Sequence, residues 1–233
     1  MFWQKIKSED NYGVNLSTID LLKVFKQEGC PVCKLVKQTI DRYFDSMLYE
    51  FVNDPGVRDS IRKSLGYCKE HTAQILKVAE NNFYAFGLSI IVEDLTNEVL
   101  KRYENIYEAA NKRKKVEQSD NSQCPACLHQ RDFEQIYISE LSRWIADETF
   151  LNEFKKSGGL CIKHLIDISR IIKNKRDLKR LFEFHITQLK ELQEDLNNFI
   201  KKHDYRNKEI ITVEEATAFK KALRKITGEL FNE

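Results

Sequence analysis

All six cysteines of this 233-residue chain fall in short pairs or stand three residues before a histidine. Cys30-Pro31-Val32-Cys33 is followed, after 34 intervening residues, by Cys68-Lys69-Glu70-His71. Cys124-Pro125-Ala126-Cys127 is followed, after 33 intervening residues, by Cys161-Ile162-Lys163-His164. Thiolate and imidazole are the donors that a structural zinc ion takes in fours, at the corners of a tetrahedron. The expected metal ligands are therefore Cys30, Cys33, Cys68, His71, Cys124, Cys127, Cys161 and His164. They make two Cys3His sets, for two Zn2+ per chain. An iron–sulfur cluster is the alternative cofactor, although clusters are usually held by cysteine alone.

The residues around the cysteines suit this chemistry. A proline after the first cysteine fixes φ near the helical value, and its missing N–H would have had no partner in a first helical turn. The pairs are thus expected at helix N-termini, where the positive end of the dipole favours thiolate. Zinc with three thiolates and a neutral imidazole carries one net negative charge. Lys34, Lys37 and Lys69 near the first set, and Lys163 near the second, are candidates to offset it. With four protein donors the coordination is closed, which fits a structural ion and leaves no open position for catalysis. Such a site contributes roughly 10–16 kcal/mol in small peptides. Whole domains are stable by only about 5–15 kcal/mol, so two ions would dominate folding.

The sets can close in two ways. Each Cys-Pro-x-Cys can join the next Cys-x-x-His, or Cys30 and Cys33 can join Cys161 and His164 across the chain. Closure within each half is the simpler expectation because its loop is shorter, though the difference in closure entropy is modest. A redox reading also exists, since Cys-Pro-x-Cys occurs in glutaredoxin-like enzymes. It needs a βαβ context that is not visible here, and it leaves the Cys-x-x-His pairs unexplained.

The elements that must position these residues read as helices throughout, in two copies of one unit. Cys30 to Cys124 is an offset of 94 and His71 to His164 an offset of 93. Gly66 and Gly159, Tyr43 and Tyr137, and Asn81 and Asn174 fall into the same register, as an internal duplication requires. Asp54-Pro55 reads as an N-cap with proline at the first helical position. Ser17 with Asp20 is expected to start a leading helix, and Thr212 with Glu215 to form a capping box. Asn81 and Asn174 are expected as left-handed helix stops. A long helix of about 28 residues, roughly 40 Å, should follow each stop. The apolar stripes are Val92, Leu95, Val99, Ile106 and Ala110 in the first, and Leu178, Phe182, His185, Leu189, Leu192, Leu196, Phe199 and His203 in the second.

The expected fold is all-α: two pseudo-symmetric helical units from an internal duplication, each pinned by a Cys3His site, with long packed helices. The expected organisation is an N-terminal segment over 1–16, a first unit over 17–113, a polar linker over 114–123, a second unit over 124–203 and a C-terminal helix within 204–233.

Composition agrees. Glycine and proline number only 8 and 3, too few for the turns of an all-β fold. Apolar residues make up 42%, enough for a sizeable core. Lysine plus arginine is 38 against 36 acidic residues, a balance that argues against a dedicated nucleic-acid binder. Basic runs at 112–115, 173–180 and 220–225 are interleaved with or flanked by acids and read as solvated faces. No apolar run reaches the length of a membrane span, and the segment Met1–Lys7 lacks the apolar stretch of a secretion signal. A cytoplasmic protein is expected, in which clustered thiols stay reduced and read as metal ligands.

His185 and His203 sit on an apolar stripe and are expected to pack and hydrogen-bond rather than to ligate. His129 has no counterpart in the first copy and reads as a surface residue. No glycine-rich phosphate loop, His-Glu-x-x-His or Gly-x-Ser-x-Gly occurs, so no catalytic residue can be nominated.

The pattern Gly-Cys-Pro-Val-Cys at 29–33 with Gly-Tyr-Cys-Lys-Glu-His at 66–71, and Cys-Pro-Ala-Cys at 124–127 with Gly-Gly-Leu-Cys-Ile-Lys-His at 158–164, resembles a known family. It is a family of uncharacterised bacterial and archaeal proteins, a domain of unknown function with paired CPxC and CxxH motifs. The resemblance spans roughly residues 17–203 and implies a shared fold and metal ligands, with no activity attached. The expected function is a non-enzymatic, zinc-stabilised helical interaction or scaffold protein. It would act on an unknown protein partner, and homodimerisation through the long helices is one form of that. The alternatives are a redox or metal-sensing protein with iron–sulfur clusters or oxidisable zinc thiolates, and a weak nucleic-acid-binding regulator.

Overall fold

The computed structural model describes residues 15–113 and 123–229. Among these residues the fold is all-α, with ten helices and no strand. They are α1 (Leu16–Val24), α2 (Pro31–Tyr49), α3 (Pro55–Lys63), α4 (Lys69–Asn81) and α5 (Ala85–Asn111), then α6 (Pro125–Trp144), α7 (Glu148–Lys156), α8 (Ile162–Ser169), α9 (Lys175–Lys202) and α10 (Val213–Thr227). Lengths of 19, 9, 13 and 27 residues for α2–α5 are followed by 20, 9, 8 and 28 for α6–α9. The expected linker lies almost wholly outside the described residues.

Local chemistry sets the helix starts. Asp54 accepts from the Val57 N–H with Pro55 at the first helical position, and Asp147 accepts from Phe150 in the same way. Each occupies an N–H that the helix itself leaves unpaired. Thr212 and Glu215 form the expected reciprocal capping box. Two expectations are corrected. The leading helix is capped by Asn15, which accepts from the Thr18 N–H, and Ser17 lies inside it. Asn174 has a φ of −76° and caps the start of α9, accepting from the Arg176 N–H, while the left-handed residue after α4 is Phe83 at φ 60°. Asparagine serves helix starts through its side-chain oxygen as well as stops through its backbone, and at 174 the first use wins.

The chain forms two compact units. One gathers the described residues up to Val36 with those from Glu134 onward, and the other spans Lys37–Phe133. These are not the divisions 17–113 and 124–203 expected from the sequence. α2 and α6 each begin in one unit and run on into the other.

In the first unit the core is aromatic. Phe25 meets Phe150 and Phe154 edge-on, with ring centroids 5.2 and 5.6 Å apart, and Trp144 stacks on Phe150. Leu21, Ile138, Leu141, Leu151, Ile168 and Leu181 fill the space around them. α10 packs along α9 and against α8. Lys202 on α9 holds it there, donating to Glu215 Oε1 at 2.8 Å and to the Ile210 carbonyl at 3.0 Å. In the second unit Ile40, Phe44, Met47, Ile61, Ile75, Val78 and Ile91 form the core, with Phe44 edge-on to Tyr67. There α5 packs on α3 and α4, and Arg58 and Arg62 of α3 both reach Asp94 of α5, at 3.1 and 2.9 Å. Among the described residues no helix is long and apolar enough to cross a membrane.

Candidate metal centres

Cys30 immediately precedes α2 and Cys33 sits in its first turn, while Cys161 is the N-cap of α8 and His164 lies one turn on. In the first unit these four side chains converge, with one ligand atom from each lying within 4.8 Å of the others. His164 Nδ1 lies 3.4 Å from Cys30 Sγ, 3.3 Å from Cys33 Sγ and 3.3 Å from Cys161 Sγ, and the sulfurs of Cys33 and Cys161 are 3.7 Å apart. The second unit repeats the construction. Cys68 is the N-cap of α4, with His71 one turn on, and Cys124 and Cys127 flank the start of α6. His71 Nδ1 lies 3.2, 3.7 and 3.4 Å from the sulfurs of Cys68, Cys124 and Cys127, and Cys68 Sγ lies 3.7 Å from Cys127 Sγ.

These distances fit a single tetrahedral ion. Bonds of about 2.3 Å to sulfur and 2.0–2.1 Å to nitrogen place S···S near about 3.8 Å and S···N near about 3.6 Å. The observed separations of 3.7 Å and 3.2–3.7 Å match that edge length. They are far beyond the roughly 2.05 Å of a disulfide, and all six cysteines are free. Two Cys3His groups that can hold metal ions are therefore present.

The eight expected residues are all in place, but the expected pairing is overturned. Each quartet takes its Cys-Pro-x-Cys from one half of the chain and its Cys-x-x-His from the other. The sequence argument weighed loop length: 128 positions separate Cys33 from Cys161, against 35 from Cys33 to Cys68. That ratio is worth only about 1 kcal/mol of closure entropy. Helix length decides instead. The sixteen residues of α2 beyond Cys33 add a rod of about 24 Å, and the nine of α3 cover only about 14 Å. The next Cys-x-x-His in the chain is thereby delivered to a different Cys-Pro-x-Cys.

Three sulfurs this close demand positive charge at their centre. Burial pushes the Cys30 thiol well up, and its contacts with Cys161 and Cys33 add to that. Hydrogen bonds from Cys30 and Cys33 drive Cys161 far down, to thiolate. Burial pulls His164 downward, but hydrogen bonds to Cys161, Cys33 and Glu134 outweigh it and push it up to about 11. In the second quartet burial pushes Cys127 up to about 12, helped by Cys68 and Cys124. A divalent ion held there would replace these retained protons and satisfy all three sulfurs at once.

The nominated Lys163 and groups that sequence reasoning missed surround the first quartet. His164 Nε2 lies 3.6 Å from Glu134 Oε1, and Lys163 closes on the same carboxylate at 2.5 Å. A carboxylate behind a ligating imidazole fixes its tautomer and orientation. Glu229 Oε1 accepts from the Cys30 N–H at 3.0 Å. A Cβ added at Gly228 would sit 3.2 Å from Cys33 Sγ, so the chain after α10 lies directly against the sulfurs. Lys225 of α10 donates to the carbonyls of Gly158 and Leu160 and to Gln188, and its charge faces Cys30 and Cys161. Nothing in the run 220–225 set Lys225 apart from its solvated neighbours, because its partners are 37 to 67 positions away. Of the lysines nominated beforehand, Lys37 is engaged with Asp41 at 3.1 Å and Lys34 reaches the Glu28 carbonyl. In the second quartet the group behind the imidazole is the neutral side chain of Gln130, hydrogen-bonded to His71.

The remaining histidines behave as expected. His185 is buried, its Nδ1 donating to the Leu181 carbonyl at 2.7 Å and its Nε2 accepting from the Leu160 N–H at 2.8 Å. This histidine fixes the backbone one residue before Cys161. His203 caps α9 against the Phe199 carbonyl, and His129 is exposed, its ring 4.5 Å from that of Tyr43.

The chain belongs to DUF6062, a family of unknown function whose model matches residues 13–233. It is similar to a protein of Caldicellulosiruptor sp. (strain Rt8B.4) described as an uncharacterized 23.9 kDa protein in the xynA 3' region. The two are 29% identical over 214 residues, which is 89% of this chain and 99% of the relative. No solved structure matches the chain.

Proposed function

We propose that this member of DUF6062 is a non-enzymatic helical scaffold for protein interaction, held in shape by two structural zinc ions. The observation that carries the reading is the closed geometry of the two quartets. Each offers three sulfurs and one imidazole at the edge lengths of a single tetrahedral ion, with no donor position left for substrate. Zinc is the ion proposed because it takes Cys3His without a geometric preference of its own. A multi-iron cluster would spread its cysteine sulfurs around a larger core and is favoured less.

The recurring order of helix lengths supports the further reading that the chain arose by duplication and that the two copies exchanged their Cys-x-x-His arms. In that arrangement each ion joins segments far apart in sequence, as a device for holding a shape requires. The surface proposed for a partner is the outer face of α5, where Phe86, Leu100, Tyr103 and Tyr107 are exposed. A protein partner, a second copy of this chain among the candidates, fits that face better than nucleic acid, given the near-zero net charge.

Elemental analysis of the purified protein tests the proposal. Two zinc per chain, with loss of protease resistance on chelation, is the expected result. Iron in stoichiometric amount, or an unchanged fold after complete metal removal, would overturn it.

A further inference from the structure

The two quartets share one donor set and differ in cover. Cys30, Cys33, Cys161 and His164 are all buried, at 3%, 8%, 1% and 2% exposure. A cavity of about 200 Å3 reaches Cys30 and Cys161 and still leaves them almost wholly covered. Gly228 lies against Cys33, and Lys225, Glu134 and Lys163 supply charge around the sulfurs and imidazole. In the other quartet only His71 is buried, and Cys68, Cys124 and Cys127 are each partly open to solvent. The group behind its imidazole is an uncharged amide.

Reactivity of a metal-bound thiolate follows access and the charge around it. We propose that the Cys68–Cys127 pair of the second quartet is a site of thiol oxidation by hydroperoxides, with the first quartet remaining as the permanent structural clasp. This rests on the zinc reading above. In the first step the Cys127 thiolate attacks one peroxide oxygen. The O–O bond breaks, a sulfenic acid forms on Cys127, and the other oxygen leaves as hydroxide and takes a proton to become water. In the second step the Cys68 thiolate, 3.7 Å away, attacks the sulfenic sulfur. The S–S bond forms, the S–O bond breaks, and a second hydroxide leaves as water after protonation. Two electrons pass from the sulfurs to the peroxide, and the ion, left with Cys124 and His71, dissociates. Disulfide formation ties the N-cap of α4 to the first turn of α6.

The test uses the full chain loaded with zinc, its content measured first. Hydrogen peroxide is added in increments while released zinc is read with a chromophoric chelator, and disulfides are mapped by mass spectrometry of unreduced peptides. The expected result is release of one of the two ions at least about tenfold faster than the other, with Cys68 joined to Cys127 and Cys30, Cys33 and Cys161 still reduced. A dithiol and added zinc should restore the starting content. The Cys30→Ser variant supplies a second reading, because its remaining ion should still be lost at the fast rate. Equal release from both quartets, earlier oxidation of Cys33 or Cys161, or a lasting sulfonic acid instead of a disulfide would overturn the proposal. A starting content below two zinc per chain would instead count against the reading of the sites themselves.

Discussion

Cys33 and Cys161 stand 128 positions apart in the chain, and their sulfurs lie 3.7 Å apart at one centre. Cys33 and Cys68, only 35 positions apart, serve different centres. The partnership makes a prediction that pairing within each half would not. In the double variant Cys33→Ser/Cys161→Ser both changes fall on one quartet, so the protein should keep one of its two ions. In Cys33→Ser/Cys68→Ser both quartets are broken, and the protein should keep neither and lose its cooperative unfolding. Metal content per chain, read on both variants, separates the two arrangements. Retention of one ion by the second variant would restore the simpler pairing.

How much of this was legible in the sequence depends on the range of the physics. Spacing at i and i+3 is local, so all eight candidate ligands, the prolines opening α2 and α6, and the Thr212–Glu215 capping box could be read directly. Which quartet each ligand joins is not local. It is set by how far α2 and α3 carry the chain, which spacing between motifs does not contain. The same holds for Glu134, Lys225 and Glu229, whose roles exist only through partners brought in by the fold. Asn174 failed for a different reason: one residue type has two opposite uses at helix ends, and the pattern around it does not distinguish them.

The turn before Cys161 should be intolerant at one glycine and forgiving at its neighbour. Gly159 has a φ of 78°, and a Cβ there would lie 2.7 Å from His185 Nε2 and 2.8 Å from the Phe184 ring. Gly158 has a φ of 83° with nothing within 4 Å. Gly158→Ala should therefore cost only the left-handed strain, about 1–2 kcal/mol. Gly159→Ala adds overpacking of typically about 1–3 kcal/mol and displaces the imidazole that holds the Leu160 N–H. Chemical denaturation of both variants checks the order. Equal costs would mean that His185 moves aside freely.

His185 should stay neutral well below the usual range for histidine. Burial lowers it to about 4, helped by the charge of Lys225 and against the opposing pull of the Leu181 carbonyl on Nδ1–H, while Nε2 is already taken as acceptor from Leu160. A histidine lowered in the fold binds fewer protons than in the unfolded chain. Its contribution is then complete above about pH 6.5 and is lost as pH falls toward about 4. At about 1.4 kcal/mol per pH unit of difference, roughly 3 kcal/mol is at stake. Proton NMR of the zinc-loaded protein should show the His185 ring unprotonated at pH 5.5. A His185 midpoint near 6.5 would show that the burial argument fails.

Lys225 should matter to one ion and not to the other. Its ammonium group is held by the carbonyls of Gly158 and Leu160 and by Gln188, and its charge faces Cys30 and Cys161, whose zinc complex would carry a net negative charge. Burial lowers it to about 8, against the opposing pull of those thiolates and Glu28. Lys225→Met keeps the length of the stem and removes the charge and the donors. Two partly buried carbonyls then lose a partner, at about 1–3 kcal/mol each before relaxation, and the first quartet loses a compensating cation. Changes behind metal ligands typically weaken binding by about 10–100-fold. Chelator competition on the variant should therefore show one zinc ion weakened by that order and the ion at Cys68, His71, Cys124 and Cys127 unchanged. Equal weakening of both would mean that Lys225 acts through global stability rather than through charge at its own centre.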